Sequence, residues 1–144
     1  MPQEKMAPRV PRPLRVLAAV LEKRGRWLIA KRKKGDRFAG FWEFPGGKQE
    51  RGESPEECLA RELYEELGIR VRIGRYLGSV LYSSPGFSIE LMAYRVSHLA
   101  GSLHLRDHEE IRWVPPNEVG HFALTEPDKL LLQKLREEEE KEGT

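Results

Sequence analysis

Long apolar runs are missing from this sequence. The longest, around Val16 to Leu21, is far too short to cross a bilayer, and the start MPQEKMAPRV lacks the apolar stretch of a secretory signal. A cytoplasmic address with no membrane attachment is expected. Cysteine is almost absent: the single Cys58 excludes an intramolecular disulfide and has no Cys or His beside it at metal-ligand spacing, so it reads as a small helix residue near the core. Internal repeats, low-complexity blocks and zinc-finger spacings are lacking as well. So is a strong charge of one sign, with a net +2 over 144 residues. The one local concentration of positive charge is AKRKKGDR, from Ala30 to Arg37, which suits phosphate better than duplex nucleic acid.

What is present fits one globular domain. A chain of this length with 39% hydrophobic residues has room for a single real core and little more. Residues 1–13 carry four prolines and no apolar periodicity, so they read as a flexible basic tail, with a domain over 14–136 and a frayed acidic end over 137–144. Leu14 to Glu22 and Arg26 to Lys31 are β-compatible runs joined by KRGR, where Gly25 supplies a turn. Phe41 to Phe44 reads as a short strand before the loop forced by Pro45, Gly46 and Gly47. Val71 to Tyr82, Phe87 to Ser97 and Ile111 to Val114 read as further strands. A last helix is expected from Glu126 to about Lys141, on the strength of Leu130, Leu131, Leu132 and Leu135.

The firmest helix lies between these strands. Ser54, Pro55 and Glu57 form a capping box with proline at the first helical position, and Gly68 supplies the stop, so a helix is expected over Pro55 to Leu67. Leu59, Ala60, Leu63 and Leu67 fall on one arc that should be buried against the sheet. The other edge is acidic. Glu62 precedes Glu65 and Glu66 by three and four residues, a spacing at which like charges cost a few tenths of a kcal/mol each, roughly, unless a cation intervenes. Hard divalent cations prefer carboxylate, carbonyl and phosphate oxygens, and the diglycine loop lets backbone approach such an ion. With Lys31, Arg32, Lys33 and Lys34 upstream, the pattern suggests a metal-bridged phosphate site.

These residues carry a resemblance. Gly47, Glu53, then Arg61, Glu62, Leu63, Tyr64, Glu65, Glu66, Leu67, Gly68 and Ile69 match the signature box of the Nudix hydrolases at every defined position. The flanking hairpin and the FWEFPGGK lead-in are similar to the family's domain order. The resemblance implies an α+β fold, a Nudix-type α/β/α sandwich around a mixed sheet, and an enzyme that uses water to attack a nucleoside diphosphate linkage with Mg2+ or Mn2+. It implies Glu62, Glu65, Glu66 and the Gly46 carbonyl as metal ligands, with Arg61 and Glu53 orienting them. For the general base it leaves two candidates, Glu62 and the Asp107 region of LRDHEEIRW, where Glu109 and Glu110 stand close by. His98, His104, His108 and His121 show no partner pattern and read as structural or exposed.

The lead-in most resembles the MutT branch, which converts nucleoside triphosphates to monophosphate and pyrophosphate. The resemblance implies substrate contacts from Arg32, Phe44 and Thr125. Thr125 stands where readers of oxidised guanine carry asparagine, and threonine lacks a paired amide donor and acceptor. The resemblance leaves cytidine or modified pyrimidine triphosphates and triphosphorylated RNA 5′ ends as alternative substrates, and Phe38, Tyr82 and Phe87 are candidates for stacking a base. A non-catalytic nucleotide-binding module is the remaining alternative, and a monomer or homodimer is expected.

Overall fold

The computed structural model describes residues 12–35 and 37–143. The tail expected over residues 1–13 lies almost wholly outside them. At the centre is β1 (Leu14–Lys23), whose side chains alternate between two cores: Leu17, Ala19 and Leu21 enter one, Ala18 and Val20 the other. A strand buried on both faces reads as a continuous apolar run, which is how Val16 to Leu21 looks in the sequence.

A two-residue turn at Arg24 and Gly25, both at positive φ, returns the chain as β2 (Arg26–Arg32), antiparallel to β1. After β3 (Trp42–Glu43) and β4 (Gly46–Lys48) comes helix α1 (Pro55–Leu67), followed by the long hairpin of β5 (Arg70–Ser84) and β6 (Phe87–Ala100). The chain then adds β7 (His108–Val114) and ends in helix α2 (Glu126–Gly143). The strand order is β3-β2-β1-β6-β5, with β4 also paired to β1 and β7 to β2. β1 and β6 run parallel and the other named strand pairs antiparallel, so the sheet is mixed as expected. α1 covers the face that carries Leu17 and Leu28, and α2 the face that carries Val20 and Ile29. That is the α/β/α sandwich.

Helix α1 follows its sequence signals. Ser54 accepts from the Glu57 amide, Glu57 accepts from the Ser54 amide, and Gly68 closes the helix at φ 73°. Leu59, Leu63 and Leu67 are fully buried, each contributing about 1.5–3 kcal/mol of apolar transfer. Ala60 is exposed, and Cys58 takes its expected place: the arc is rotated toward β4, where the Cys58 thiol lies 3.4 Å from the Lys48 carbonyl oxygen.

Other boundaries moved. Phe41 belongs to a turn, its amide bonded to the Phe38 carbonyl, so β3 starts at Trp42. β7 starts three residues before the expected Ile111, because its partner β2 extends to Arg32. Leu131, Leu132 and Leu135 are buried on α2, whereas Leu130 is exposed. The acidic end expected to fray from residue 137 stays helical to Gly143, where Glu138 pairs with Lys134 and Lys141.

Candidate active site

Beside the start of α1, β4 brings its backbone up against the acidic edge of the helix. A Cβ on Gly47 would fall 1.6 Å from the Glu62 carboxylate, and one on Gly46 would fall 1.9 Å from the Leu17 carbonyl oxygen. At Gly46 the clash is with backbone and only glycine fits; at Gly47 a Cβ would have to displace the Glu62 side chain. The diglycine therefore lets strand and carboxylate meet with no side chain between them.

Arg61 organises the carboxylates. Its guanidinium forks onto Glu53, Nε to Oε2 at 2.6 Å and Nη2 to Oε1 at 2.8 Å, and Nη1 donates to Glu62 at 2.7 Å and Glu65 at 3.1 Å. The fork and the Glu50 amide hold the Glu53 carboxyl far down, at about 2, and the same bonds raise Arg61 further above its ordinary range. Glu53 and Arg61 thus stay charged throughout the physiological range.

Glu66 differs. Burial, then the charges of Glu62, Glu43 and Asp107, push its carboxyl up to about 9, against a hydrogen bond from the Gly46 backbone. Burial is also the first cause raising Glu62, and Arg61 opposes it. Glu66 Oε1 is buried without a hydrogen-bond partner, a condition it shares among the described residues with His108 Nδ1. Among those residues no three carboxylates already converge on one point, because Arg61 draws Glu62 and Glu65 toward itself. An orphaned buried carboxylate oxygen next to a second buried carboxylate is nonetheless the donor set a hard cation fits. A cation would offset the burial and the carboxylate repulsion that together hold the proton on Glu66.

Glu62 and Glu66 open into a cleft of about 1070 Å3, also lined by Arg32, Lys33, Lys34, Glu43, Phe44, Asp107, Thr125 and Asp128. Most of the expected acidic, basic and base-reading residues thus reach one cavity; Lys31, Glu53, Arg61 and the half-exposed Glu65 do not line it, Glu53 and Glu65 being bonded to Arg61. Asp107 lines the cleft, whereas Glu109 pairs with Lys31 at 3.3 Å and Glu110 with Arg112 at 2.6 Å. Phe38 and Phe87 line it too; the Phe87 ring carries the Arg37 guanidinium at 4.3 Å and packs against Tyr82. Phe44 is 3% exposed and packs edge-on to Trp27, so its ring belongs to the core and its backbone to the cleft.

Three functional candidates escape the sequence reading. Asp128 is buried at the start of α2, where its carboxylate accepts from the Phe44 amide at 3.0 Å and from the Thr125 hydroxyl. Burial, then the Glu43 charge, push it up to about 7. Thr125 turns out to be the cap of α2, since its hydroxyl also accepts from the Asp128 amide at 3.2 Å. The pattern of Thr125 followed three residues later by Asp128, ahead of leucines, signals that arrangement in the sequence. The other two are Glu43 and His108: Glu43 Oε1 accepts from Arg32 at 2.7 Å and Oε2 from His108 Nε2 at 2.9 Å. His108, expected to be structural or exposed, is buried in the cleft wall with a partner.

The NUDIX domain family model matches residues 11–135. The chain belongs to the Nudix family. It is similar to the CTP pyrophosphohydrolase of Escherichia coli K12, with 38% identity over 120 residues covering 83% of this chain and 89% of that protein. It is also similar to the 8-oxo-dGTP diphosphatase of Proteus vulgaris, 40% identical over 91 residues, 62% of this chain and 81% of that one. Among solved structures, the E. coli ORF135 protein superposes with a TM-score of 0.78 at 37% identity, covering 85% of this chain and 88% of that one. The MutT Nudix hydrolase of Burkholderia pseudomallei superposes at 0.76 with 27% identity, covering 87% and 99%. This chain is thus a Nudix hydrolase of the MutT-like kind, and no helix among the described residues is long and apolar enough to cross a membrane.

Proposed function

We propose that this Nudix hydrolase cleaves nucleoside triphosphates to monophosphate and pyrophosphate, with the triphosphate over the Glu62 and Glu66 end of the cleft and the base at the Asp128 end. The observation that carries the reading is that one cavity joins a buried, partnerless Glu66 oxygen, the Arg32 side chain and the buried Asp128 carboxylate. Nudix hydrolases generally use a divalent metal. Glu62, Glu65, Glu66 and the Gly46 carbonyl are the groups that would hold Mg2+ or Mn2+ here, with Arg61 and Glu53 fixing the carboxylates. When bound, such an ion neutralises phosphate charge and lowers the pKa of the attacking water.

The chain's own residues supply the rest. Asp107 and Glu62 both reach the cleft as carboxylates able to take the proton from that water, and Asp107 is the one not bonded to Arg61. Arg32 supplies positive charge to the substrate from a fixed position, its Nε donating to the Arg37 carbonyl at 2.7 Å and Nη1 to Glu43. Phe44 and Thr125 act at the base end through Asp128, which they hold by hydrogen bonds. An Asp that carries a proton below about pH 7 offers a donor as well as an acceptor to a base edge. That pairing suits a modified or ordinary pyrimidine as well as an oxidised purine, in keeping with the two curated relatives.

The test is product analysis over a panel of ordinary and oxidised purine and modified pyrimidine nucleoside triphosphates, with 5′-triphosphorylated RNA as competitor. Pyrophosphate release that depends on Mg2+ and disappears in Glu66→Gln supports the reading. A Glu66→Gln protein with full activity, or release of inorganic phosphate in place of pyrophosphate, defeats it. Preferential turnover of the RNA end selects the RNA 5′ reading.

A further inference from the structure

We propose that His108 is a positioning residue for the nucleotide: acting through Glu43, it fixes the Arg32 guanidinium in the cleft. The inference rests on the reading that Arg32 faces a nucleoside triphosphate.

Three neighbouring strands build the unit. Glu43 on β3 lies opposite Ala30 of β2, so it shares a face with Arg32, two residues further along β2. That face also carries Leu28, Ile111 and Trp113, the core beneath α1. On the other side of β2 the register of β7 breaks: Lys31 pairs with Glu110, but Arg32 pairs with His108, leaving Glu109 as a bulged extra residue. Strand alternation without the bulge would set Glu109 opposite Arg32 and turn His108 to the other face. With it, His108 is buried beside the Arg32 position and reaches Glu43 at 2.9 Å, whereas Glu109 points outward to Lys31. Bulges next to active sites commonly re-aim a side chain in this way.

The hydrogen bonds define the role. An ionised carboxylate only accepts, so His108 Nε2 carries the proton that it donates to Glu43 Oε2. The other Glu43 oxygen accepts from Arg32 Nη1 at 2.7 Å. Glu43 is thus held from both sides, and its side chain is largely shielded from water, 16% exposed, so neither bond competes strongly with solvent. His108 is still more enclosed, with its side chain 3% exposed. Removing the imidazole leaves a Glu43 oxygen without its donor and lets the carboxylate turn, and Arg32 follows. Loose positioning of one substrate-binding group weakens binding in the ground and transition states alike, so the loss falls on KM.

The experiment is a double-mutant cycle in steady-state nucleoside triphosphate turnover by the full chain. His108→Ala should raise KM about tenfold with little change in kcat. His108→Gln, whose amide nitrogen can also donate to Glu43, should restore most of the loss. In an Arg32→Ala background the His108→Ala change should add little further increase in KM, because the group it positions is gone. A purely structural role for His108 would instead lower melting temperature and activity alike in both backgrounds, and additive KM effects overturn the inference. An unchanged KM in His108→Ala overturns it too while leaving the functional reading intact. A wild-type chain that turns over no nucleoside triphosphate overturns both.

Discussion

The Gly47 backbone and the Glu62 carboxylate occupy space that no side chain on Gly47 could share: a Cβ there would sit 1.6 Å from Oε2 and 2.3 Å from the carboxyl carbon. Gly47→Ala therefore has to push Glu62 off its place beside Arg61. A carboxylate misplaced by about 1 Å costs on the order of a hundredfold in turnover. The expected outcome is a kcat loss of about that size with the fold retained, checked by steady-state kinetics alongside circular dichroism.

Arg61→Lys keeps the charge and loses the fork. A lysine ammonium cannot span both Glu53 oxygens, Glu62 and Glu65 at once. Metal affinity should fall by about 10–100-fold, as when groups behind metal ligands are altered. Mn2+ titration by calorimetry measures it. The pair also predicts acid sensitivity. Glu53 titrates at about 2 in the fold against an ordinary 4.5, so its contribution is complete above 4.5 and lost as pH falls toward 2.

Glu66 works in the opposite sense. Its carboxyl titrates at about 9 in the metal-free fold against 4.5 when free, so between those values the folded chain binds the extra proton. Stability of metal-free protein should therefore decline as pH rises from about 4.5 through about 9. Mg2+ should raise the melting temperature more at pH 9 than at pH 6, since at the lower pH it must displace the proton. Thermal scans at the two pH values check this, and Glu66→Gln should flatten both the decline and the Mg2+ effect.

Asp128→Asn replaces a buried acceptor held by Phe44 and Thr125 with a group that must donate on one side. At the proposed base end of the cleft that mismatch should reduce kcat/KM by about ten- to a hundredfold, and unequally among nucleotide bases. Thr125→Val should act more mildly. The Thr125 hydroxyl is one of the bonds that lower Asp128, so its loss should shift the Asp128-dependent limb of the kcat/KM profile to higher pH. Kinetics from pH 5.5 to 9 on two bases would register both effects.

Much of the site was legible because it is local. Ser54, Glu57 and Gly68 bracket α1, and Glu62, Glu65 and Glu66 fall within one turn of it, so spacing alone puts those residues on neighbouring positions of the helix. The residues that escaped reading act across strands. Glu43 and His108 stand far from each other in the chain, and their meeting around Arg32, which the sequence does single out, depends on the pairing of β3, β2 and β7 and on one bulge. Thr125 reads from the sequence as a base contact; in the fold it lines the cleft together with Asp128, to which its hydroxyl donates, and that pairing depends on the tertiary structure.

The sequence by itself determined the capped acidic helix, the diglycine before it, the buried central strand and the family, because helix periodicity, capping and backbone freedom are local properties. Tertiary structure alone decided which carboxylates lose water, since burial depends on what the sheet and both helices lay over them. Glu53 and Glu66 are both box glutamates of one chain. One sits on an arginine and stays charged, while the other is enclosed among carboxylates and holds its proton, a difference set by neighbours that only the fold supplies.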